Sequence, residues 1–498
     1  MLDSEFSCGA PVGRREFLVG SGLAIGLGSL ADGATAPAND KKADRYTLKR
    51  EIPVDGPYDV IVAGGGPAGT AAAVCAARLG AKVLLVEAAG CLGGMGTSGL
   101  VTAFDPMGDG TRMLVGGFMR EVVEMMYSRG FLKPGIDPNA WRRNYHNWTP
   151  FQAEGYKLVL DEFVTKAGVE TRFFTRVIDA ESDAKSGVVS GAVLQNVEGY
   201  RFVRAGAYID ATGDGVLADL CGADCREAGR DTEAPMAATL CSLHAGLDWS
   251  KMGNQHAALK KALADKHFTQ PDRHLPGLSQ VNQTVGYLNG GHLFRMNALK
   301  CKDLSDGVML GRRIVQEYVA FYKKYVSGCK NLQLVATGAV IGVRESRRIV
   351  GEYELTIKDY LARRQFPDQI AVFNKAVDIH AYDCTEEAYK KYYREYRKTG
   401  RLKRGECFGI PYSILVPKGW RNLWVAGRCN SSDVKVHGSI RVQPTASMMG
   451  QAAGTAAVQS IRTKQPANDL DTAELIQTLR KAGAYLPQKE TRKTMTRS

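Results

Sequence analysis

Beyond its N-terminal residues, the sequence lacks any apolar run long enough to cross a bilayer. A membrane-spanning helix needs about 20 predominantly apolar residues. From residue 37 onward no apolar run reaches about 18 residues. We therefore expect no integral membrane segment in the chain once an N-terminal signal has been removed.

The cysteines lack the spacing of a metal site. Eleven of them are scattered along 498 residues, with no C-x-x-C motif and no paired zinc spacing. No metal centre is therefore predicted. Cys221 and Cys225 stand four residues apart, which leaves two interpretations open: a disulfide in an oxidising compartment, or two small buried thiols.

The net charge of +13 is not accompanied by an arginine and lysine stripe with a nucleic-acid-binding signature. Nucleic acid is therefore not an expected partner, whereas anionic substrates suit a basic chain. The content of 44% apolar and 23% charged residues is typical of a globular protein. The length is sufficient for two or three domains.

The most informative stretch is a glycine triplet between a predicted strand and a predicted helix. Residues 60–63 are a short, largely β-branched run, typical of a buried parallel strand. Gly64, Gly66 and Gly69 follow with G-x-G-x-x-G spacing, and residues 70–79 continue as a small-residue helix. The first glycine makes the turn, the second lets the backbone approach a pyrophosphate, and the third lets helix and strand pack closely. This context predicts a dinucleotide site with the phosphates at the helix N-terminus.

An acidic residue at the end of the next predicted strand supports the same site. Residues 82–86 form that strand, and Glu87 lies 23 residues after Gly64, where it is expected to accept the ribose hydroxyls of an adenosine. Five glycines then occur between residues 90 and 99. We interpret this loop as running along the cofactor, where side chains would clash. A flexible surface loop is the alternative.

The N-terminus has the pattern of a targeting signal. Arg14 and Arg15 precede residues 19–30, a glycine-rich, mildly apolar stretch that is too short to span a bilayer. Residues 1–36 are therefore predicted to be a twin-arginine signal peptide that directs export to the periplasm and is then removed. A disordered basic tail is the alternative.

Two further regions each allow two interpretations. Residues 103–157 are rich in aromatic and charged side chains and suit either a cap over the active site or an ordinary surface insertion. Residues 385–404 are predicted to form a basic, tyrosine-rich helix. That helix is either a solvated face or a dock for an acidic redox partner.

Several longer blocks carry a family resemblance. They are Ala211-Thr212-Gly213 at a predicted strand end, residues 342–353 (GVRESRRIVGEY), residues 422–428 (NLWVAGR), residues 438–445 (GSIRVQPT) and residues 449–454 (MGQAAG). With the glycine triplet, they resemble FAD-dependent oxidoreductases of the two-dinucleotide-binding-domain, glutathione-reductase-like flavoprotein group. The resemblance covers roughly residues 58–464.

The resemblance implies FAD as the cofactor and a set of residues that contact it. These are Gly64, Gly66, Pro67, Ala68, Gly69, Glu87, Gly93, Gly94, Met95, Ala211, Thr212, Gly213, Gly427, Arg428, Gly450, Gln451, Ala452 and Ala453. Many members of the group have Gly-Asp where this chain has Gly427-Arg428, and Arg428 is expected to pair with phosphate. A helix over residues 450–460 is expected to point its N-terminus, with its partial positive charge, at the flavin.

The resemblance also sets the expected fold and domain order. The fold class is α/β, a Rossmann-like FAD-binding domain of the glutathione-reductase type with an inserted mixed α+β substrate domain. The expected order is a signal peptide (1–36), a linker (37–57), the first part of the FAD-binding domain (58–232), a substrate or cap domain (233–414), the last part of the FAD-binding domain (415–464) and a C-terminal helical tail (465–498).

The candidate catalytic residues are histidines and arginines. His437, His380 and Arg344 are predicted to be catalytic, with Arg441 and Arg347 as anion clamps. His437 is expected in a loop that passes the flavin ring, where a neutral imidazole accepts a proton near working pH. Each histidine has a structural role as its alternative.

Together these features predict an exported, periplasmic FAD-dependent oxidoreductase enzyme. The first hypothesis is a dehydrogenase that oxidises an alcohol carbon of a sugar or another polar or anionic small molecule by hydride transfer to flavin N5, with a quinone or cytochrome as electron acceptor. The alternatives are a reductase of an alkene or keto acid fed by a cytochrome, and a non-catalytic FAD electron-transfer subunit. Export, and the lack of a second G-x-G-x-x-G motif after a strand, argue against NAD(P)H as the routine partner.

Overall fold

The computed structural model describes residues 46–143, 148–395 and 401–487. The predicted signal peptide and the first part of the linker lie outside the described residues. Residues 46–51 are exposed and without regular structure.

The described chain contains both strands and α-helices. The strands are β1 (Val54–Ala63), β2 (Val83–Val86), β3 (Ala103–Phe104), β4 (Thr149–Pro150), β5 (Glu170–Arg172), β6 (Arg176–Asp183), β7 (Val188–Asn196), β8 (Gly199–Asp210), β9 (Cys225–Glu227), β10 (Ala238–Thr239), β11 (Ser242–Ala245), β12 (Leu278–Gln280), β13 (Gly286–Leu288), β14 (His292–Leu293), β15 (Gln333–Thr337), β16 (Arg347–Ile349), β17 (Gln369–Phe373), β18 (Phe408–Pro411) and β19 (Leu423–Val425). The helices are α1 (Pro67–Arg78), α2 (Gly117–Ser128), α3 (Ala153–Ala167), α4 (Val216–Cys221), α5 (Gln255–Ala264), α6 (Cys301–Tyr325), α7 (Ile357–Leu361), α8 (Glu386–Glu395), α9 (Val434–Ile440), α10 (Gln443–Thr463) and α11 (Thr472–Lys481).

A parallel sheet organises the fold. Its five parallel strands are ordered β5-β2-β1-β8-β19. The strand, helix and strand predicted around the glycine triplet are confirmed as β1, α1 and β2. Since the first three strands in chain order lie on one side and the last two on the other, the order reverses between β1 and β8. Ligands of such open sheets bind beyond the carboxyl ends of the strands at this switch point.

An antiparallel branch leaves the same sheet. Strand β8 pairs with β7, and β7 pairs with β6, both antiparallel. Strands β7 and β8 form a hairpin, and β8 continues without a break through Ala207 to Asp210. Its first half pairs with β7 and its end pairs with β19.

Both faces of the parallel sheet are buried. Along β1, Val60 and Val62 pack into the core that also contains α1, α3 and α10. Ile61 and Ala63 pack into a second core with β7 and α4 on the opposite face. The continuous apolar run in β1 follows from this, because alternate side chains of a strand point to opposite faces and both faces are covered.

A separate layer is built from residues 238–341. Strands β12, β13, β11 and β15 form an antiparallel sheet in that order, and α5 and α6 pack on it with their own apolar core. Strands β17 and β18, by contrast, pack into the core of the parallel sheet with α10. The second half of the predicted substrate domain (233–414) is therefore joined to the FAD-type core.

The aromatic region over residues 103–157 is not a surface insertion. The rings of Phe104 and Phe151 stack with centroids 4.1 Å apart, and Tyr156 contacts both edge-to-face at 5.2–5.3 Å. Trp141 is buried in the same core. Residues 144–147 lie outside the described chain. Trp148 is half exposed, and its ring lies 5.3 Å from the Lys375 ammonium.

Three smaller predictions can also be compared with the fold. The basic helix predicted over residues 385–404 is α8 and extends to Glu395 in the described chain, while residues 401–404 are not helical. Cys221 and Cys225 are free thiols; Cys221 is buried, and Cys225 is half-buried. Among the described residues, no helix combines the length and apolarity needed to span a membrane.

Candidate functional site

The glycine triplet forms the turn between β1 and α1. Gly64 has φ +95°, and a Cβ there would lie 2.6 Å from the Ala211 carbonyl oxygen at the end of β8. At Gly69 a Cβ would lie 1.7 Å from the Gly64 carbonyl oxygen. These two glycines are therefore required by the fold itself, because strand ends and helix approach closely there.

Gly66 is required for a different reason. It caps α1 with an ordinary φ of −67°, and a Cβ there would meet nothing within 4 Å. Every other described glycine with such open space has a positive φ, which by itself favours glycine. No contact with the described residues explains the missing side chain at Gly66. The open space at the N-terminus of α1 is where the pyrophosphate of a dinucleotide binds, so the residues present fit FAD.

Glu87 closes the other side of this turn. Its carboxylate accepts hydrogen bonds from the N–H groups of Gly65, at 2.6 Å, and Ala89, at 2.7 Å. Burial raises the pKa of Glu87, and these backbone donors oppose that shift. Each carboxylate oxygen has a further lone pair for a ribose hydroxyl, so the predicted ribose contact is compatible with the geometry.

The glycine-rich loop after β2 packs against the triplet. The Gly93 N–H donates to the Gly65 carbonyl at 2.9 Å, and a Cβ at Gly94 would lie 3.1 Å from the Gly66 Cα. Gly93 is buried, whereas Gly94 and Met95 are half-buried. The flexible-surface-loop alternative is therefore excluded, and the loop borders the predicted cofactor site.

The ends of β8 and β19 complete the same edge. Gly213 and Gly427 both have positive φ, and a Cβ at Gly427 would lie 3.1 Å from Ala68 in the first turn of α1. Thr212 donates its hydroxyl to Asp210 at 2.7 Å. The predicted residues Ala211, Thr212, Gly213 and Gly427 thus lie at the edge that also carries the triplet.

Arg428 is already paired with protein groups. It donates to Asp214 at 2.6 Å and to the Ser346 hydroxyl at 2.8 Å. Its side chain is 11% exposed. Arg428 therefore ties the end of β19 to the block over residues 342–353, and its expected pairing with phosphate stays a prediction.

The prediction that a helix begins near residue 450 is wrong. Helix α10 begins at Gln443, with Pro444 in its first turn, a preferred position for proline and the signal that was missed. Gly450 lies inside the helix, where a Cβ would be 1.9 Å from the Ala68 carbonyl oxygen. Its role is close packing of α10 on α1.

The other three residues predicted with Gly450 have packing roles too. Gln451 accepts a hydrogen bond from the Phe118 N–H at 3.1 Å, and Ala452 and Ala453 are fully buried. The N-terminus of this helix, which was expected to face the flavin, lies at Gln443 and not near Gly450. The side-chain amide of Gln443 donates to the Val101 carbonyl at 2.8 Å.

His437 lies on helix α9, not in the predicted loop. It has no exposed surface, and its Nε2 lies 3.2 Å from the Arg344 carbonyl oxygen. Burial and the nearby charges of Arg348 and Arg441 hold the pKa of His437 well below its ordinary value. The imidazole is therefore neutral, as the acid/base prediction requires. Its Nε2, however, already contacts the backbone carbonyl of Arg344, another candidate catalytic residue.

Arg344 is a buried cation with neutral partners. Its guanidinium donates to the Ala237 carbonyl at 2.5 Å, the Thr239 hydroxyl at 2.9 Å and the Asn289 side-chain oxygen at 3.2 Å. The charges of Asp378 and Asp272 act on it, but neither carboxylate is among its hydrogen-bond partners in the described part of the chain. Burial, helped by the charge of Arg441, lowers the pKa of Arg344 to about 10. A buried guanidinium without a carboxylate partner is suited to an anionic ligand.

The two arginines predicted as anion clamps are engaged differently. Arg441 lies 3.3 Å from the Asp378 carboxylate and also donates to the Asp378 carbonyl. Arg347 pairs with the half-exposed Asp219 at 2.8 Å. The structure therefore brings Arg441, but not Arg347, into the group of charges around Asp378.

A buried charge cluster next to Arg441 was missed in the sequence. Lys375 lies 3.3 Å from Asp105 and 3.4 Å from Asp378. Asp105 follows β3 directly, two residues after Ala103, whose carbonyl faces the side chain of Gln443. Burial raises the pKa of Asp105 to about 6, against the opposing charge of Lys375. A carboxyl that titrates in this range at the N-terminal end of α10 is a candidate acid/base.

His380 lies in a cluster of three histidines. Its Nδ1 is 2.9 Å from Nε2 of His292, and the ring of His274 lies 4.9–5.0 Å from both. Burial lowers the pKa of His274 to about 4 and that of His380 well below its ordinary value. No spacing in the sequence joins these residues, so no local signal could have identified them together.

The chain matches the family described as FAD dependent oxidoreductase over residues 59–479. Among curated proteins, a dihydrolipoyl dehydrogenase of Trypanosoma brucei brucei is 54% identical over 47 residues. That match spans only 9% of this chain and 10% of the relative.

Solved structures show a looser likeness. A geranylgeranyl bacteriochlorophyll reductase-like protein from Thermoplasma acidophilum aligns with 85% of this chain and 82% of its own, at 14% identity and a TM-score of 0.43. A flavin-dependent brominase aligns with 86% and 83%, at 14% identity and a TM-score of 0.42. An anhydrotetracycline hydroxylase from Streptomyces rimosus aligns with 85% and 65%, at 12% identity and a TM-score of 0.40. Likenesses at this level assign no substrate.

Proposed function

Because the chain belongs to the FAD-dependent oxidoreductase family, we propose that this enzyme is a dehydrogenase that oxidises an alcohol carbon of a polar, anionic small molecule. FAD is the cofactor, and when bound it supplies a hydride acceptor at N5. The glycine triplet, Glu87 and the loop at Gly93 and Gly94 would hold it. The order of the five parallel strands and the antiparallel branch support the glutathione-reductase type of FAD domain.

The observation that carries the proposal is the buried cation Arg344, together with the buried carboxyl group of Asp105; the charge of Arg441 acts on both groups. Among the described residues the guanidinium of Arg344 donates hydrogen bonds only to neutral groups, so it binds the negatively charged group of the substrate. Asp105 takes the hydroxyl proton of the reacting alcohol, and the raised pKa suits that task. Lys375 holds Asp105 in place and stabilises its ionised form.

Anaerobic mixing tests this function. Holoenzyme is mixed with candidate sugars, sugar acids and hydroxy acids without an electron acceptor, and the flavin absorption band is followed. Bleaching by an alcohol substrate alone is the expected result. A flavin that no alcohol bleaches, but that a reduced cytochrome-type donor reduces and an alkene or keto acid then reoxidises, would make the enzyme a reductase.

We further propose periplasmic delivery with a quinone or a cytochrome as electron acceptor. The support is the pair Arg14 and Arg15 ahead of a short apolar stretch.

Replacing both Arg14 and Arg15 with lysine is expected to leave the precursor in the cytoplasm, because the export machinery reads the paired arginines. The fraction of the protein in the periplasm is measured by cell fractionation. Replacement of Lys41 and Lys42 with arginine serves as the control, since these residues lie beyond the predicted signal. Equal periplasmic delivery of the double-lysine variant and the wild type would contradict the proposal.

A further inference from the structure

We propose that His274, His292 and His380 bind one divalent transition-metal ion. One nitrogen from each imidazole lies within 4.8 Å of the other two. The three ring centroids are 4.9–5.0 Å apart. The site does not depend on which substrate the flavin oxidises.

The facing nitrogens of two rings are slightly closer together than two ligands of one metal ion. His292 Nε2 and His380 Nδ1 are 2.9 Å apart. Two imidazole nitrogens on one tetrahedral Zn²⁺, each about 2.0–2.1 Å from the metal, are about 3.4 Å apart. An opening of about 0.5 Å would therefore admit the ion, which is a small side-chain movement.

A carboxylate lies near the outer nitrogen of two of the rings. His292 Nδ1 lies 3.0 Å from Asp272, and His380 Nε2 lies 3.4 Å from Asp378. With a proton on each of these outer nitrogens, the two inner nitrogens face each other with their lone pairs at 2.9 Å. A cation between them removes this repulsion. Metal-binding histidines commonly have such a carboxylate at the second nitrogen, which orients the ring.

Asp272 is itself rigidly held. It accepts hydrogen bonds from the Tyr389 hydroxyl at 2.5 Å, from the backbone N–H of His274 at 2.9 Å and from the backbone N–H of His292 at 3.1 Å. One carboxylate thus connects the backbones of two proposed ligands. These hydrogen bonds hold ligands from separate segments in the relative positions that a metal site requires.

The donor set defines the class of metal. Three imidazole ligands suit Zn²⁺, Co²⁺, Ni²⁺ or Fe²⁺ and do not suit Mg²⁺ or Ca²⁺, which prefer oxygen ligands. Three protein ligands leave a coordination position open, as in catalytic zinc sites. An oxygen of a small-molecule ligand would occupy that position.

Titration of the FAD-loaded, chelator-treated protein with Co²⁺ tests the site. One equivalent of Co²⁺ is expected to produce the visible d–d absorption of a nitrogen-ligated ion, without the intense charge-transfer band of a thiolate ligand. Zn²⁺ is expected to displace it with the same stoichiometry. Replacement of any one of the three histidines with glutamine should remove the band, and Asp272→Asn should weaken Co²⁺ binding by about 10–100-fold.

His256→Gln is the matched control, because His256 is exposed on α5, outside the cluster; this variant should bind Co²⁺ as the wild type does. The flavin spectrum of every variant reports that the fold is retained. Absence of a Co²⁺ band in the wild type, a band that survives all three substitutions, or a thiolate-type band would each overturn the proposal.

Discussion

Protein with leucine in place of Gly66 is expected to fold normally and to be purified without its yellow cofactor. The φ of −67° at this position is ordinary for any residue, and the added Cβ would meet no atom of the described chain within 4 Å. The side chain would instead enter the space at the N-terminus of α1 where the pyrophosphate binds. The absorption spectrum and the unfolding temperature, measured with and without added FAD, check both parts of this result.

Two further substitutions serve as controls for that experiment. Leu79→Trp places a bulky residue at the far, exposed end of α1 and should leave FAD bound. Gly69→Ala should instead prevent folding, since the Cβ would lie 1.7 Å from a carbonyl oxygen. If Gly66→Leu were purified with a full complement of FAD, the phosphates would have to bind elsewhere.

Replacement of Asp105 with asparagine is expected to slow substrate-driven flavin reduction by about 10²–10⁴-fold, the usual cost of losing a general acid or base. The amide has nearly the same shape and cannot take the hydroxyl proton. FAD binding should be unchanged, because Asp105 lies outside the glycine triplet and its loop. Stopped-flow absorbance under anaerobic conditions measures the effect.

The pH dependence identifies the group. A base must be ionised, and burial raises the pKa of Asp105 to about 6. In the wild type, kcat/KM should therefore rise with pH through about 6 and level off above it. In Asp105→Asn this inflection should disappear. A flat profile around pH 6 in the wild type would speak against Asp105.

His437→Ala separates the two acid/base candidates. The pKa of His437 is held well below its ordinary value by burial and by neighbouring arginines, so a rate controlled by His437 would show no inflection near pH 6. If Asp105 is the base, His437→Ala should retain that inflection and mainly weaken substrate binding, because His437 contacts the backbone of Arg344. Loss of flavin reduction by about 10²–10⁴-fold with FAD retained would restore His437 to the catalytic role.

The residues of the FAD-binding turn could be predicted from the sequence, because they are close to one another along the chain. The turn between β1 and α1 is built from one continuous segment. The spacing of Gly64, Gly66 and Gly69 along the chain therefore determines where these residues lie in the turn. The position of α10 was less predictable, because a small-residue stretch near Gly450 has the composition of a helix start as well as of a helix interior. Packing against α1 explains those small residues.

The sequence by itself determined the βαβ unit, its dinucleotide fingerprint and membership of a flavoprotein group, since each depends on residues that are neighbours along the chain. Only the tertiary structure decided which polar groups meet. Asp105 and Lys375 come from segments 270 residues apart. The three clustered histidines are separated by 18 and 88 residues. Side chains that converge through the packing of distant elements leave no periodic or spaced pattern in the sequence, because their distance in space is set by the sheets and helices between them.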